Sequence, residues 1–208
     1  MTSNITIRGN IPLDKSVTIK NKLIDKFTKA ADFGPQSIMF RTKKEDDGSS
    51  TDLELFSEFK KGRIRYLIPS EKMESKGTLK LIDFTILFES LFDKETTFVI
   101  DEFDSALHSE IVKGLLSLFN NSQVNTFGSQ LIFSTHNPIY LSNKIFRRDQ
   151  IFFIEKDKNN YHSFLYSLSD FGSKDVRNDE KYMINYFKGK YASLPFIDFS
   201  SLFMDKGE

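Results

Sequence analysis

Thr96-Thr97-Phe98-Val99-Ile100-Asp101-Glu102 is a short apolar, β-branched run that stops abruptly on two carboxylates. It lacks the apolar-polar alternation of a half-buried strand, so it predicts a strand covered on both faces in a parallel sheet. Downstream, Leu107, Ile111, Leu115 and Leu118 recur at helical spacing, with Glu110, Lys113 and Ser117 on the other side. Gln130-Leu131-Ile132-Phe133-Ser134 predicts a second buried strand, Pro138–Leu141 a helical turn and Gln150–Glu155 a third strand. Strands alternating with helices imply right-handed crossovers and a parallel sheet. Tyr161–Leu168, after the turn Lys158-Asn159-Asn160, is expected to pair antiparallel with the third strand. Asp179–Tyr191 is expected as a last helix with Tyr182, Tyr186 and Phe187 on one face.

Working upstream, Thr78–Phe92 is apolar on nearly every side, which argues for a helix buried within a larger body. Residues 1–70 carry less information. A Lys-rich stretch, Lys15–Lys29, places Leu23, Ile24 and Phe27 at helical spacing and predicts an amphipathic helix. Ser37–Arg41 and Asp52–Phe59 predict strands flanking the polar turn Lys43–Ser50, in which Asp46-Asp47-Gly48 is a strong turn signal. Arg65–Ile68 would add an edge strand ended by Pro69, which cannot donate to a ladder. The expected organisation is a small helix and hairpin lobe over 1–70 and an α/β region over 71–208.

Composition narrows the function classes. The chain has 208 residues, with 29 Lys plus Arg against 29 Asp plus Glu, so no global basic field draws in polyphosphate chains. No apolar run approaches the roughly 20 residues of a membrane span. Cysteine is absent, which excludes disulfides and thiolate metal sites, and the first ten residues lack the layout of a secretory signal, so the cytoplasm is the expected compartment. The 22 Phe and no Trp suggest that phenylalanine rings carry much of the core.

In open α/β sheets, ligands sit beyond the carboxyl ends of the strands. The first strand delivers Asp101 and Glu102 there, and the second delivers Ser134, Thr135, His136 and Asn137. A carboxylate pair of this kind suits metal-assisted phosphoryl transfer: Asp101 would hold Mg²⁺ and Glu102 would orient or deprotonate the attacking water. His136 could donate a hydrogen bond to a phosphoryl oxygen. The same three residues could also serve a metal-dependent hydrolase or nuclease without ATP.

These residues resemble a family. Phe98-Val99-Ile100-Asp101-Glu102 looks like the Walker B strand of an ABC-type ATPase, Asp104-Ser105-Ala106-Leu107-His108 like its D-loop, and Phe133-Ser134-Thr135-His136 like its switch-histidine loop. Glu74-Ser75-Lys76-Gly77-Thr78-Leu79 is similar to the signature of the SMC-like and abortive-infection branch. In the tail, Arg147-Arg148-Asp149-Gln150-Ile151, Arg177 and Tyr186-Phe187-Lys188-Gly189-Lys190-Tyr191 before Pro195 resemble the ending of the bacterial AAA15, AAA21 and OLD-like ATPases. The likeness covers roughly 71–197.

The resemblance implies the C-terminal part of a P-loop NTPase fold, with a mostly parallel core sheet flanked by helices. It implies ATP and Mg²⁺ as cofactors and a head-to-head dimer in which Ser75, Gly77 and Thr78 meet the nucleotide of the opposite subunit. Asp101 would then be the metal residue, Glu102 and His136 the catalytic pair, and Ser105 and His108 further nucleotide contacts near the dimer seam. His108 also reads as a helix-capping residue. One part of the family pattern is missing: no Gly-rich loop ending in Gly-Lys-Ser or Gly-Lys-Thr occurs in the 208 residues. The expected function is therefore the ATP-binding and ATP-hydrolysing component of a bacterial defence or DNA-maintenance ATPase. A Walker A segment would come from upstream or from a partner, and an effector nuclease or nucleic acid would be reached through the complex. The alternative is a catalytically silent dimerisation or regulatory fragment of such an ATPase.

Overall fold

The computed structural model describes residues 18–44, 51–157, 160–172, 181–192, 194 and 199–200. The expected turn Asp46-Asp47-Gly48, Lys158 and Asn159, Arg177, Pro195 and the start of the last expected helix lie outside them. The described chain forms two compact units, divided between Thr135 and His136.

The first unit opens with an antiparallel sheet in the order β1 (Thr18–Lys20), β2 (Ser37–Lys44), β3 (Thr51–Lys61) and β4 (Ile64–Pro69). The expected hairpin is present, with Ser37 opposite Glu58 and Phe40 opposite Leu55. Pro69 stands at the end of the edge strand, where its missing N–H costs no ladder bond. The Lys-rich stretch is shorter as a helix than expected: α1 spans Lys22–Ala30, and Thr18–Lys20 is strand. Asn21 is the reason for the late start, because its side chain accepts from the N–H groups of Leu23 at 2.8 Å and Ile24 at 3.2 Å.

A short helix, α2 (Ser70–Met73), leads into α3 (Lys76–Leu91). The all-round apolar character of α3 is explained by two partners. On one side Ile82 joins Ile24, Ile38 and Phe40 in a core shared with α1 and the antiparallel sheet. On the other side Phe84 and Phe88 enter a phenylalanine cluster. Phe84 lies 4.9 Å from Phe103 and Phe88 5.4 Å from Phe119, centroid to centroid, with edge and tilted geometries that suit aromatic quadrupoles.

The strand β5 (Thr97–Ile100) and the strand β6 (Gln130–Phe133) pair in parallel through α4 (Ser109–Asn120), with Val99 opposite Ile132. Their burial alternates, contrary to the expectation of cover on both faces. Phe98, Ile100, Leu131 and Phe133 are half-buried, whereas Val99 is 76% exposed and Ile132 56% exposed. On the half-buried side the Phe133 ring lies 5.3 Å from that of Phe103.

The second unit contains β7 (Phe152–Lys156) and β8 (Ser163–Ser167), paired antiparallel as the turn signal implied, and α5 (Tyr182–Phe187). β7 does not extend a parallel sheet: among the described residues β5 and β6 are the one parallel pair, so the mostly parallel core sheet is not what the fold shows. The ladder bonds of β7 go to β8 instead, and before β7 the chain makes two single 3₁₀ turns, Pro138–Tyr140 and Arg148–Gln150. Gln150, expected in the strand, belongs to the second of these turns. Ile151, Phe153, Leu168, Tyr182 and Tyr191 form this unit's core. Phe187 does not share the Tyr182 face and is 61% exposed, since five residues along a helix carry a side chain well round the axis. No helix among the described residues is long and apolar enough to cross a membrane.

Candidate functional site

Asp101 and Glu102 leave β5 into a turn that the chain holds from several directions. Phe103, immediately after them, is completely buried, with its ring 4.9 Å from Phe84 and 5.3 Å from Phe133. It anchors the turn to the phenylalanine cluster, while the carboxylates on either side of it, Asp101 and Glu102 before and Asp104 after, stay at the surface or half-buried.

Glu102 has φ of 47°, in the left-handed region that a residue with a Cβ enters at a cost of about 1–2 kcal/mol. Its hydrogen bonds show what offsets this. The Glu102 N–H donates to Ser134 Oγ at 2.8 Å. The Glu102 carbonyl accepts from the Ser105 N–H at 3.0 Å and from Lys80 Nζ at 2.8 Å. Ser134 does more than cap: its hydroxyl donates to Asp101 Oδ1, its carbonyl accepts from the Phe103 N–H at 3.1 Å, and its N–H donates to the Ile100 carbonyl at 3.1 Å. One serine at the end of β6 thus brackets both residues of the carboxylate pair.

The expected signature segment lies against this turn. Ser75 caps α3, its hydroxyl accepting from the Thr78 N–H at 3.1 Å, and remains exposed. Thr78 is only 4% exposed, and its hydroxyl meets Ser75 Oγ at 3.0 Å, so it orients Ser75 within the cap. Gly77 is buried, and a Cβ there would run into the Ala106 carbonyl oxygen, a backbone atom that cannot swing aside. Ala106 itself has φ of 64°. Lys80, one turn along α3, donates to Ser105 Oγ at 2.7 Å as well as to Glu102, and its ammonium lies 5.5 Å from the Phe84 ring centroid. Burial lowers the Lys80 pKa below the ordinary lysine value, against the pull of the Asp104 and Glu102 carboxylates.

The first unit therefore gathers Ser75, Gly77 and Thr78, the carboxylates Asp101 and Glu102, and Ser105 around one turn. His108 is the N-cap of α4, its Nδ1 accepting from the Glu110 N–H at 3.3 Å, as a capping residue would. His136 is the first residue of the second unit and is exposed. Of the paired arginines, Arg147 is an exposed turn residue bound to Asp149 at 2.8 Å, and Arg148 donates to the Phe171 carbonyl inside the second unit. Lys80 and Phe103 belong to no motif, and neither residue's spacing singles it out. The one hint was a lysine in the otherwise apolar run Leu79-Lys80-Leu81-Ile82.

Among the described residues no three His, Asp or Glu side chains stand together as a ready metal cage. Mg²⁺ seldom uses one: it typically takes one or two carboxylates and completes its octahedron with waters and substrate phosphates. Asp101, exposed and oriented by Ser134, suits that habit.

A family model described as "AAA domain, putative AbiEii toxin, Type IV TA system" matches residues 19–142. The match takes in more than half of the chain, from β1 through the signature segment and the carboxylate turn to His136. A comparison with curated proteins gives no match. Among solved structures, one from work described as "Structural biochemistry of ATP-driven dimerization and DNA stimulated activation of SMC ATPases" aligns over 71% of this chain and 82% of its own, at 20% identity and a TM-score of 0.42. With the family model spanning the cap of α3, the turn after β5 and the end of β6, this chain belongs to the AAA_21 family of AAA domains.

Proposed function

We propose that this chain is the signature and Walker B half of a bacterial defence or DNA-maintenance ATPase, hydrolysing ATP with Mg²⁺ in a head-to-head dimer. The observation that carries this is the joining of the Ser75-capped helix start to the Asp101-Glu102 turn, through Gly77 against Ala106 and Lys80 on Glu102. A helix N-terminus bearing a serine hydroxyl is suited to a phosphate, and a carboxylate pair at a strand end is suited to a metal-bound phosphate and its attacking water. In this reading Ser75 faces the γ-phosphate held by the opposite subunit. Asp101 would hold Mg²⁺, directly or through water, and Glu102 would orient the attacking water and accept its proton. His136 donates to the transferred phosphoryl group, and Ser105 and His108 lie at the subunit seam. Bound Mg²⁺ would supply charge neutralisation on the β- and γ-oxygens.

The P-loop absent from the 208 residues is then supplied upstream or by a partner chain. The deciding experiment mixes the purified chain with a P-loop-bearing segment of an AAA_21 protein and follows phosphate release. Mg²⁺-dependent turnover that appears only in the mixture, and disappears in Glu102→Gln while nucleotide-dependent dimerisation remains, is the expected result. Metal-dependent cleavage of nucleic acid without ATP, lost in Asp101→Ala, would replace this reading with the nuclease alternative.

A further inference from the structure

The peptide on either side of Glu102 is held by two groups from different elements. On the N–H side the holder is Ser134, at the end of β6; on the carbonyl side it is Lys80, from α3. The Ser105 N–H fills the second lone-pair direction of that carbonyl, and Lys80 also grips Ser105 through its hydroxyl at 2.7 Å. The lysine therefore closes a small ring with both ends of the 102–105 turn. A charged donor is the strongest neutral-carbonyl partner available to a side chain. Its ammonium also rests 5.5 Å from the Phe84 ring centroid, so its direction is fixed before any ligand arrives.

We infer that Lys80 is a positioning residue for hydrolysis: by clamping the Glu102 carbonyl it holds the glutamate in its left-handed backbone and so fixes where the Glu102 carboxylate stands. This rests on the ATPase reading for its catalytic consequence, but not for the clamp. Lys80 touches neither nucleotide nor water in this role and acts through the backbone of its neighbour. Because it lies one turn from the Gly77 contact, the same helix that carries the signature also carries the clamp. A displacement of the α3 start on binding phosphate would reach Glu102 through one side chain.

The test uses Lys80→Met, which keeps the stem and removes the ammonium, and Lys80→Arg, which restores a cationic donor. In the nucleotide-free chain, hydrogen exchange of the Ser105 amide, whose acceptor is the Glu102 carbonyl, should quicken about tenfold in Lys80→Met, the scale of one lost charge-assisted bond. The α3 amides should keep their protection, and Lys80→Arg should return Ser105 towards its original rate. In the P-loop-complemented protein, Lys80→Met should lower kcat about 10- to 100-fold, the scale of a displaced catalytic group, with KM for ATP and Tm little changed. Unchanged Ser105 exchange in Lys80→Met overturns the clamp. Exchange rising equally throughout α3, or KM and Tm falling in step with kcat, assigns Lys80 a packing role instead. Quickened exchange with an unaltered kcat keeps the contact and rejects its part in hydrolysis. If the unmutated, complemented protein fails to hydrolyse ATP, the ATPase reading fails while the exchange data still decide whether Lys80 holds the turn.

Discussion

A glutamate with φ of 47° needs neighbours that over-determine it, and here a serine, a lysine and a buried phenylalanine do so. Phe103→Ala would empty the centre of the phenylalanine cluster and should cost about 3–5 kcal/mol in urea unfolding. A loss under about 1 kcal/mol would mean that the ring does not anchor the turn. Lys80 adds a pH signature. Burial lowers its pKa, with Asp104 and Glu102 the carboxylates that face it and pull the other way. The ammonium is present below that pKa and lost above it, so ATP hydrolysis by the complemented protein should decline on the alkaline side at a lower pH than an ordinary lysine would give. Lys80→Arg should carry the decline to higher pH, because a guanidinium does not titrate there. The sign for stability is opposite: in the window between the lowered folded pKa and the unfolded one, the unfolded chain binds more protons, so this group makes stability rise with pH. Asp101 and Glu102 were legible because two carboxylates ending an apolar run are conspicuous. Lys80 was not, because a lysine in a helix has many directions to point and only the folded contact selects one.

Helices α3 and α4 each contain one glycine, and the two should answer to alanine in opposite ways. Gly114, in α4, has open space where a Cβ would go, so Gly114→Ala should stabilise the chain by roughly 0.5–1 kcal/mol through helix propensity. Gly77→Ala meets the Ala106 carbonyl and should destabilise, and in the complemented protein it should also impair turnover by moving the helix start away from the turn. Thermal unfolding of both variants checks the pair; a Tm gain in Gly77→Ala would remove the close approach between the start of α3 and Ala106. The elements themselves were largely readable, since helical spacing, turn chemistry and β-branched runs act over a few residues. Their misplacements have local causes too: Asn21 captures two N–H groups and delays α1, and the 3₁₀ turn Arg148–Gln150 takes Gln150 out of β7.

For the whole chain, the 208 residues hold no P-loop, and the purified protein should show negligible Mg²⁺-dependent ATP turnover until that segment is added. Robust hydrolysis by the chain alone would mean that its phosphates are held by a loop the sequence does not advertise. The two units have separate cores: one joins α1, α3 and the antiparallel sheet through Ile24, Ile38, Phe40 and Ile82, and the other centres on Ile151, Phe153, Leu168, Tyr182 and Tyr191. Family membership, the carboxylate pair, the capping role of His108 and the alternation of strand and helix from β5 to β6 were written in the order of residues, because each depends on a motif or a period confined to a short stretch. The identity of the side chains that pin Glu102 came from the fold, because Lys80 and Ser134 stand 22 and 32 positions from it and no local pattern encodes their meeting. Val99 and Ile132 show the difference most plainly: their apolar run called for two covered faces, and packing supplied one.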